Sequence, residues 1–223
     1  MLLLDDPFEM GRGSLPWIPV LRQPSRMGTE LVKRWETAHH EVRERFAQFC
    51  YHTGRYWCWQ RKRNLRCANF EYYAALMCIY SITEQVLQEL NVFFKLGYGT
   101  KKVRWINDKF YKSLYDVFPS GANHLQKVIG SKWLSQLWDE RHEFVHREPS
   151  PRVEVGLLKW DDGQTSVLIP RCPQWETEFE HLYVAEMKRF DDPRWCRLRS
   201  AQVLMHALLK SVWEEMWERG GTR

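Results

Sequence analysis

Apolar residues recur at helical spacing along two long segments in the first half of the chain. The first segment predicts a helix from Thr29 to about Arg61, with Thr29 as its N-cap and Gly54 as a point of bending or interruption. The second predicts a helix over about 68–96 that is closed by Gly97. Two neighbouring helices of this length, each with an apolar face, indicate an all-α bundle.

The second predicted helix carries two apolar rows, which indicates a broad buried face at the centre of a bundle. One row consists of Leu76, Ile79, Val86, Leu90 and Phe94, and the other of Tyr73, Met77, Tyr80 and Leu87. Glu84 falls on the second row, among apolar neighbours. A carboxylate in that position has to be paired, solvated by a groove, or used in function.

The rest of the chain alternates short elements with breaks. Short helices are predicted at 106–118 and 124–129, a third long helix starts at Ser131 and is ended by Pro149 and Pro151, and tail helices are predicted at 175–189 and about 200–219. The segments 153–160 and 165–169, separated by an Asp-Asp-Gly-Gln turn, predict a small β-hairpin insertion within about 152–169.

Residues 1–28 contain four prolines and three glycines, which favours an extended arm over a helix. The predicted organisation is therefore an arm at 1–28 followed by a single helical domain at 29–223. The fold class that follows is an all-α, up-and-down bundle of four to five helices with a β-hairpin insertion.

Composition and charge exclude few classes of function. The 12 tryptophans can supply both a large core and an interface, and the net charge of +5 is compatible with a nucleic-acid partner. The chain begins without the basic start and long apolar core of a signal peptide, and its longest uncharged apolar run, 72–83, is too short to span a bilayer. We therefore expect a cytoplasmic protein with no membrane contact.

Several residue types that could carry chemistry are interpreted as structural. The six cysteines form no Cys-x-x-Cys pair and are interpreted as buried free thiols. His39 and His40 are interpreted as surface or edge positions, and the basic run at 61–63 as a solvated helix end. Trp213 and Trp217 are predicted to pack on the body or on a second subunit.

Arg141 lies on the apolar stripe of the third long helix, one turn from Trp138 and from Val145. A permanent charge on a packing face is costly unless an anion meets it. One interpretation is an ion pair with Glu84 across the bundle, and the other is a phosphate. On an ideal helix His146 points about 140° away from Arg141, whereas His142 and His146 share one face.

The order of Arg141, His142 and His146, late in a helical bundle and followed by a chain break, resembles the Arg-x4-His motif of the HEPN superfamily. The resemblance covers about residues 29–150 and implies a HEPN-like bundle that forms a homodimer with the two motifs facing each other. It also implies a metal-independent endoribonuclease that needs no cofactor and acts on RNA, often in host defence or with an antitoxin. Members often support the motif with a carboxylate on the second helix, for which Glu84 is the candidate.

One position departs from the resemblance. In superfamily toxins that are paired with nucleotidyltransferases, a Tyr two residues after the motif His receives nucleotides. This chain has Glu148 there, so that mode of regulation is not expected.

The side chains of the motif suit RNA cleavage by the 2′-hydroxyl. The reaction needs a proton acceptor at the 2′-oxygen, a proton donor at the leaving 5′-oxygen and positive charge on the phosphoryl oxygens. His146 can serve as base or acid, and Arg141 can bind two phosphoryl oxygens. The second proton carrier is either His146 of a second subunit or His142.

Two other functions compete with the nuclease. His142-Glu143-Phe144-Val145-His146 also spells His-Glu-x-x-His, in which His142 and His146 would ligate zinc and Glu143 would act as base. Candidates for the third zinc ligand are Glu176, Glu178, Glu180 and His181. The other competitor is a non-catalytic interaction or scaffold module, which many helical bundles are.

Overall fold

The computed structural model describes residues 28–146, 157–159, 165–167, 177–188 and 190–221, with the backbone alone at 143–146, at the two strands, and at 177–180 and 220–221. The α-helices of these ranges are α1 (Thr29–Arg61), α2 (Leu65–Phe93), α3 (Asp108–Val117), α4 (Pro119–Ile129), α5 (Lys132–His146), α6 (Thr177–Met187) and α7 (Pro193–Gly221). A 3-10 turn spans Thr100–Lys102. The predicted arm, apart from Gly28, lies outside the described residues.

The two long helices agree closely with the pattern that predicts them, and the differences lie at their ends. Gly28, not Thr29, is the N-cap of α1, and the helix runs without interruption through Gly54, which is buried. Helix α2 begins at Leu65 because the Asn64 side chain accepts a hydrogen bond from the Cys67 amide at 3.1 Å. It ends at Phe93, and Gly97 takes a positive φ of 75° in the turn that follows.

Helices α1 and α2 form an antiparallel hairpin, since only residues 62–64 connect them and their paired contacts run in opposite directions. Helix α7 lies antiparallel to α1 and contacts it along its length. The contacts include Trp57–Trp195 (4.9 Å between ring centroids), Gln202 to the Cys50 sulfur (3.0 Å) and His39–Trp213 (4.5 Å between ring centroids).

The fold belongs to the all-α class, as predicted, and its helices form a bundle around one apolar core. The largest fully buried side chains of that core include Trp35, Phe46, Phe49, Tyr56, Tyr72 and Trp213. The seven helices of the described ranges correspond to the seven helical segments that the sequence predicts, and α3, α4 and α6 are short helices beside the long ones. None of the helices in these ranges combines the length and the apolar character needed to cross a bilayer.

The C-terminal helix begins earlier than the sequence pattern predicts, at Pro193 instead of near residue 200. Asp192 explains the earlier start, because its carboxylate accepts the Trp195 amide at 3.0 Å in the manner of an N-cap. Pro193 at the first helical position needs no amide partner. Trp213 is 1% exposed in the core, which confirms that it packs on the body.

Residues Leu157–Lys159 and Thr165–Val167 form two short strands, β1 and β2, in the segment for which a hairpin insertion is predicted. They pair antiparallel, with Leu157 opposite Val167 and Lys159 opposite Thr165. The residues that join them lie outside the described part of the chain.

The described cysteines, Cys50, Cys58, Cys67, Cys78 and Cys196, are all free thiols. Burial raises the pKa of Cys50 and of Cys196 to about 12 and that of Cys78 to about 11. These three thiols are therefore protonated at neutral pH and poorly nucleophilic.

Alkylation of the native protein is expected to be slower at the three buried cysteines than at the half-buried ones. At pH 7.5 iodoacetamide should modify the half-buried Cys58 and Cys67 first, and Cys50, Cys78 and Cys196 at least about tenfold more slowly. Peptide mass spectrometry over a time course measures the order, with denatured protein as the control in which all six cysteines of the chain react. Equal rates for Cys50 and Cys58 in the folded state would contradict the expectation.

Candidate functional site

Helix α5 is fixed to the bundle by one carboxylate that has two partners. The hydroxyl of Tyr72, on α2, donates to Glu140 at 2.7 Å, and the guanidinium of Arg197, on α7, forms an ion pair with the other oxygen. Leu134 and Leu137 on the same helix are buried in the core. Glu140 therefore sets the position of its neighbour Arg141 relative to α2.

Arg141 lies over α2 and stacks on an aromatic ring. Its guanidinium carbon is 4.4 Å from the centre of the Tyr80 ring, and its Nε donates to the Met77 sulfur at 3.2 Å. Sulfur is a weak acceptor, and the side chain of Arg141 is partly exposed. No carboxylate of the described residues lies within ion-pair distance of it.

Glu84 reaches Arg141 through an intermediate side chain. The Tyr80 hydroxyl donates to Glu84 at 3.1 Å, while the ring of the same tyrosine carries the guanidinium. The direct Arg141–Glu84 ion pair considered from the sequence does not form. Burial first, and then the charge of Glu84, raise the pKa of Tyr80, whereas Arg141 and Arg104 lower it, so this hydroxyl stays a donor at neutral pH.

Of the other residues predicted at this site, the structure describes the side chain of His142 but not those of Glu143 and His146. His142 is exposed on α5. His146 is the last residue of α5, and its side chain and that of Glu143 lie outside the described part of the structure. The structure thus brings Arg141 and Glu84 together through Tyr80 and does not describe the His146 imidazole.

The sequence does not predict the row of contacting aromatic rings that extends from Tyr80 through Trp138 to Trp105. The ring of Tyr80 packs on Trp138 (5.8 Å between centroids), and Trp138 packs on Trp105 (5.3 Å). Tyr80 and Trp138 each sit on a helical apolar row, so their spacing alone indicates a core position. Trp105 gives no such signal, because it lies in the irregular segment after α2.

Two arginines near the start of α7 have a structural role in this fold. Arg197 is 8% exposed and pairs with Glu140, and Arg194 donates to Asn69 at 2.6 Å while it lies over the Tyr72 ring at 4.8 Å. Arg61 and Arg63, in the basic run at 61–63, are exposed at the end of α1, which agrees with the prediction of a solvated helix end.

A buried polar cluster joins α1, α2 and α7 inside the core. Glu89 lies 2.8 Å from His39 Nδ1, and its second oxygen accepts the Trp213 indole N–H at 2.9 Å. His39 and Glu89 are each 1% exposed. The interpretation of His39 as a surface or edge position is therefore wrong, because α7 covers that face of α1.

Metal ligands do not converge in the part of the chain that can be described. Among the described side chains there is no group of three or more His, Cys, Asp or Glu residues that could hold a metal ion. The side chains of Glu143 and His146, which the zinc alternative requires, lie outside that set. The zinc alternative stays a prediction.

No protein-family model, no curated protein and no solved structure matches this chain. The described geometry defines an all-helical bundle with a surface arginine that stacks on an aromatic ring and has no carboxylate partner among the described residues. A guanidinium in that situation can accept a phosphate from solution.

Proposed function

We propose that this protein is a metal-independent endoribonuclease of the HEPN type, in which Arg141 binds the scissile phosphate and His146 transfers protons. The observation that carries the proposal is the set of contacts that Arg141 makes. Within the described residues, its guanidinium contacts the Tyr80 ring and the Met77 sulfur, and not a carboxylate. Its side chain is partly exposed, as binding of an anion from solution requires.

Comparison with Arg197 supports a functional role for Arg141. Arg197 has the features of a structural arginine, since it is 8% exposed and its charge is compensated by Glu140. Arg141, from the same bundle, is more exposed, and no carboxylate of the described residues compensates its charge. Stacking on an exposed aromatic ring is worth only about 0.5–1 kcal/mol, so the packing of α5 does not require an arginine here.

The chemistry follows from the side chains of the motif. A base removes the proton of the RNA 2′-hydroxyl, the 2′-oxygen bonds to phosphorus, and the bond to the 5′-oxygen breaks as that oxygen takes a proton from an acid. Arg141 stabilises the charge on the phosphoryl oxygens, and Glu84 orients Arg141 through Tyr80. His146 supplies base or acid, with His142 or the second copy of His146 as its counterpart.

The proposed active form is a homodimer in which two copies of the motif face each other. One imidazole cannot conveniently perform both proton transfers, whereas two copies related by a two-fold axis can. An antitoxin or another regulatory protein that covers the motif would keep such an enzyme silent, and host defence is the setting that the resemblance implies.

Cleavage of a mixed RNA substrate in the presence of EDTA tests the proposal. We expect undiminished activity and products with 2′,3′-cyclic phosphate ends, because every group in the mechanism belongs to the protein. Activity that EDTA abolishes and zinc restores would favour the zinc alternative. A folded dimer that cleaves no RNA would favour the non-catalytic module.

A further inference from the structure

A cluster of exposed basic residues follows α2 and surrounds one exposed tryptophan. Residues 101–112 contain five basic residues and one acidic residue, while the whole chain of 223 residues has a net charge of only +5. The basic residues are Lys101, Lys102, Arg104, Lys109 and Lys112, and all five are exposed. With Trp105 they form what we call the basic strip.

The basic strip is held in one conformation by hydrogen bonds from buried or half-buried groups. The Asn91 side chain binds both the carbonyl (2.8 Å) and the amide (3.1 Å) of Tyr98, and Asn107 donates to the Lys102 carbonyl at 2.6 Å. Val103 is 1% exposed and anchors the middle of the segment. A backbone fixed in this way loses little conformational entropy of its own on binding.

Trp105 is 40% exposed, and its neighbour Ile106 is 64% exposed. Trp138 packs against Trp105, with the two rings tilted by 36° and their centroids 5.3 Å apart. An open depression of about 500 Å³ beside it is lined by Lys101, Arg104, Ile106, Asn107, Asp108 and Lys109. An indole that is supported from within and exposed beside cations is suited to stack on a nucleobase.

The basic strip is continuous with the candidate site. From Trp105 through Trp138 and Tyr80 to Arg141, each group is less than 6 Å from the next. Arg104 is also close enough to Tyr80 for its charge to act on the tyrosine hydroxyl. A bound chain of nucleotides could therefore contact the basic strip and Arg141 at once.

We propose that the basic strip binds single-stranded RNA, with phosphates on its lysines and Arg104 and one base stacked on Trp105. This inference rests on the proposed function, because it names the form of RNA that reaches Arg141. Stacking on Trp105 requires an unpaired base, since bases in a duplex are already stacked on their neighbours. An acidic protein segment would match the charge and would gain nothing specific from the indole face.

Fluorescence anisotropy with a labelled 2′-O-methyl oligonucleotide measures this binding without cleavage, because the probe lacks the attacking hydroxyl. Trp105→Ala is expected to weaken binding roughly 5- to 150-fold, and Trp105→Phe much less because a ring remains. Lys101→Gln and Arg104→Gln should each reduce the salt dependence of binding by about one unit of slope. The matched controls are Tyr115→Ala, an exposed aromatic outside the strip, and Arg66→Gln, an exposed cation outside it.

The outcomes separate this inference from the proposed function. Binding that Trp105→Ala and Arg104→Gln leave unchanged overturns the inference, even if the protein cleaves RNA. Equal affinity for single-stranded and duplex RNA, or full competition by polyglutamate, also overturns it. Either result would show that the surface binds any polyanion through charge alone. Trp105-dependent binding by a protein that cleaves no RNA supports the basic strip and contradicts the nuclease.

Discussion

Replacing His146 with Ala is expected to lower the rate of RNA cleavage roughly 10²- to 10⁴-fold, the range for loss of a general acid or base. Replacing Arg141 with Ala should lower it roughly 10²- to 10³-fold, as for loss of one group that stabilises charge in the transition state. Neither change should unfold the protein. Among the described residues, Arg141 makes a stacking contact and a weak bond to sulfur, and α5 is held by Glu140 and its apolar residues.

Initial rates on a defined RNA, with folding checked by circular dichroism, measure these effects. His124→Ala and Arg66→Ala are the matched controls, because both residues are exposed and lie outside the motif. His124 is on α4, and Arg66 is near the start of α2. Arg141→Lys should recover only part of the rate, since an ammonium cannot bind two phosphoryl oxygens in the same way. Full activity in either alanine variant would overturn the assignment of the motif.

The role of Glu84 can be separated from that of the Tyr80 ring in the same assay. Tyr80→Phe keeps the ring under Arg141 and removes the hydroxyl that donates to Glu84. If Glu84 positions Arg141 through this bond, Tyr80→Phe and Glu84→Ala, which removes the acceptor, should lower kcat by similar factors, and the double variant should lose no more than either. Additive losses would show that Glu84 acts independently of Tyr80.

Removal of the Glu89 side chain is expected to be the most damaging single change to the core. Glu89→Ala leaves His39 and the Trp213 indole N–H without their carboxylate partner inside the protein. Each buried hydrogen-bonding group that loses its partner costs about 1–3 kcal/mol, so the free energy of unfolding should fall by several kcal/mol. Because Glu89 connects α1, α2 and α7, the loss should affect the whole bundle and not one helix end.

Urea unfolding of the Glu89 variants measures this loss. Glu89→Gln keeps an acceptor for Trp213 and should lose less stability than Glu89→Ala. Glu44→Ala is the matched control, because Glu44 is 55% exposed and 4.0 Å from His40 on the surface. An effect of Glu89→Ala that is no larger than that of Glu44→Ala would show that the buried cluster does not stabilise the fold.

The site could be predicted from the sequence only in part. Arg141 was identified because a charge on an apolar stripe is anomalous within its own helix. Tyr80 could not be identified in this way, because a tyrosine on an apolar row is indistinguishable from a core residue until its partners are known. Its two roles, carrying the guanidinium and donating to Glu84, depend on α5 lying against α2.

Local patterns in the sequence determined the helical architecture and the bounds of α1, since the spacing of apolar residues within one helix fixes which face is buried. Residues far apart in the chain decided the rest. Arg197 was paired internally with Glu140, and α7 buried His39 beside Glu89 and Trp213. No local pattern encodes such partners, because a side chain's charge or hydrogen bond is satisfied by whichever helix packs against it.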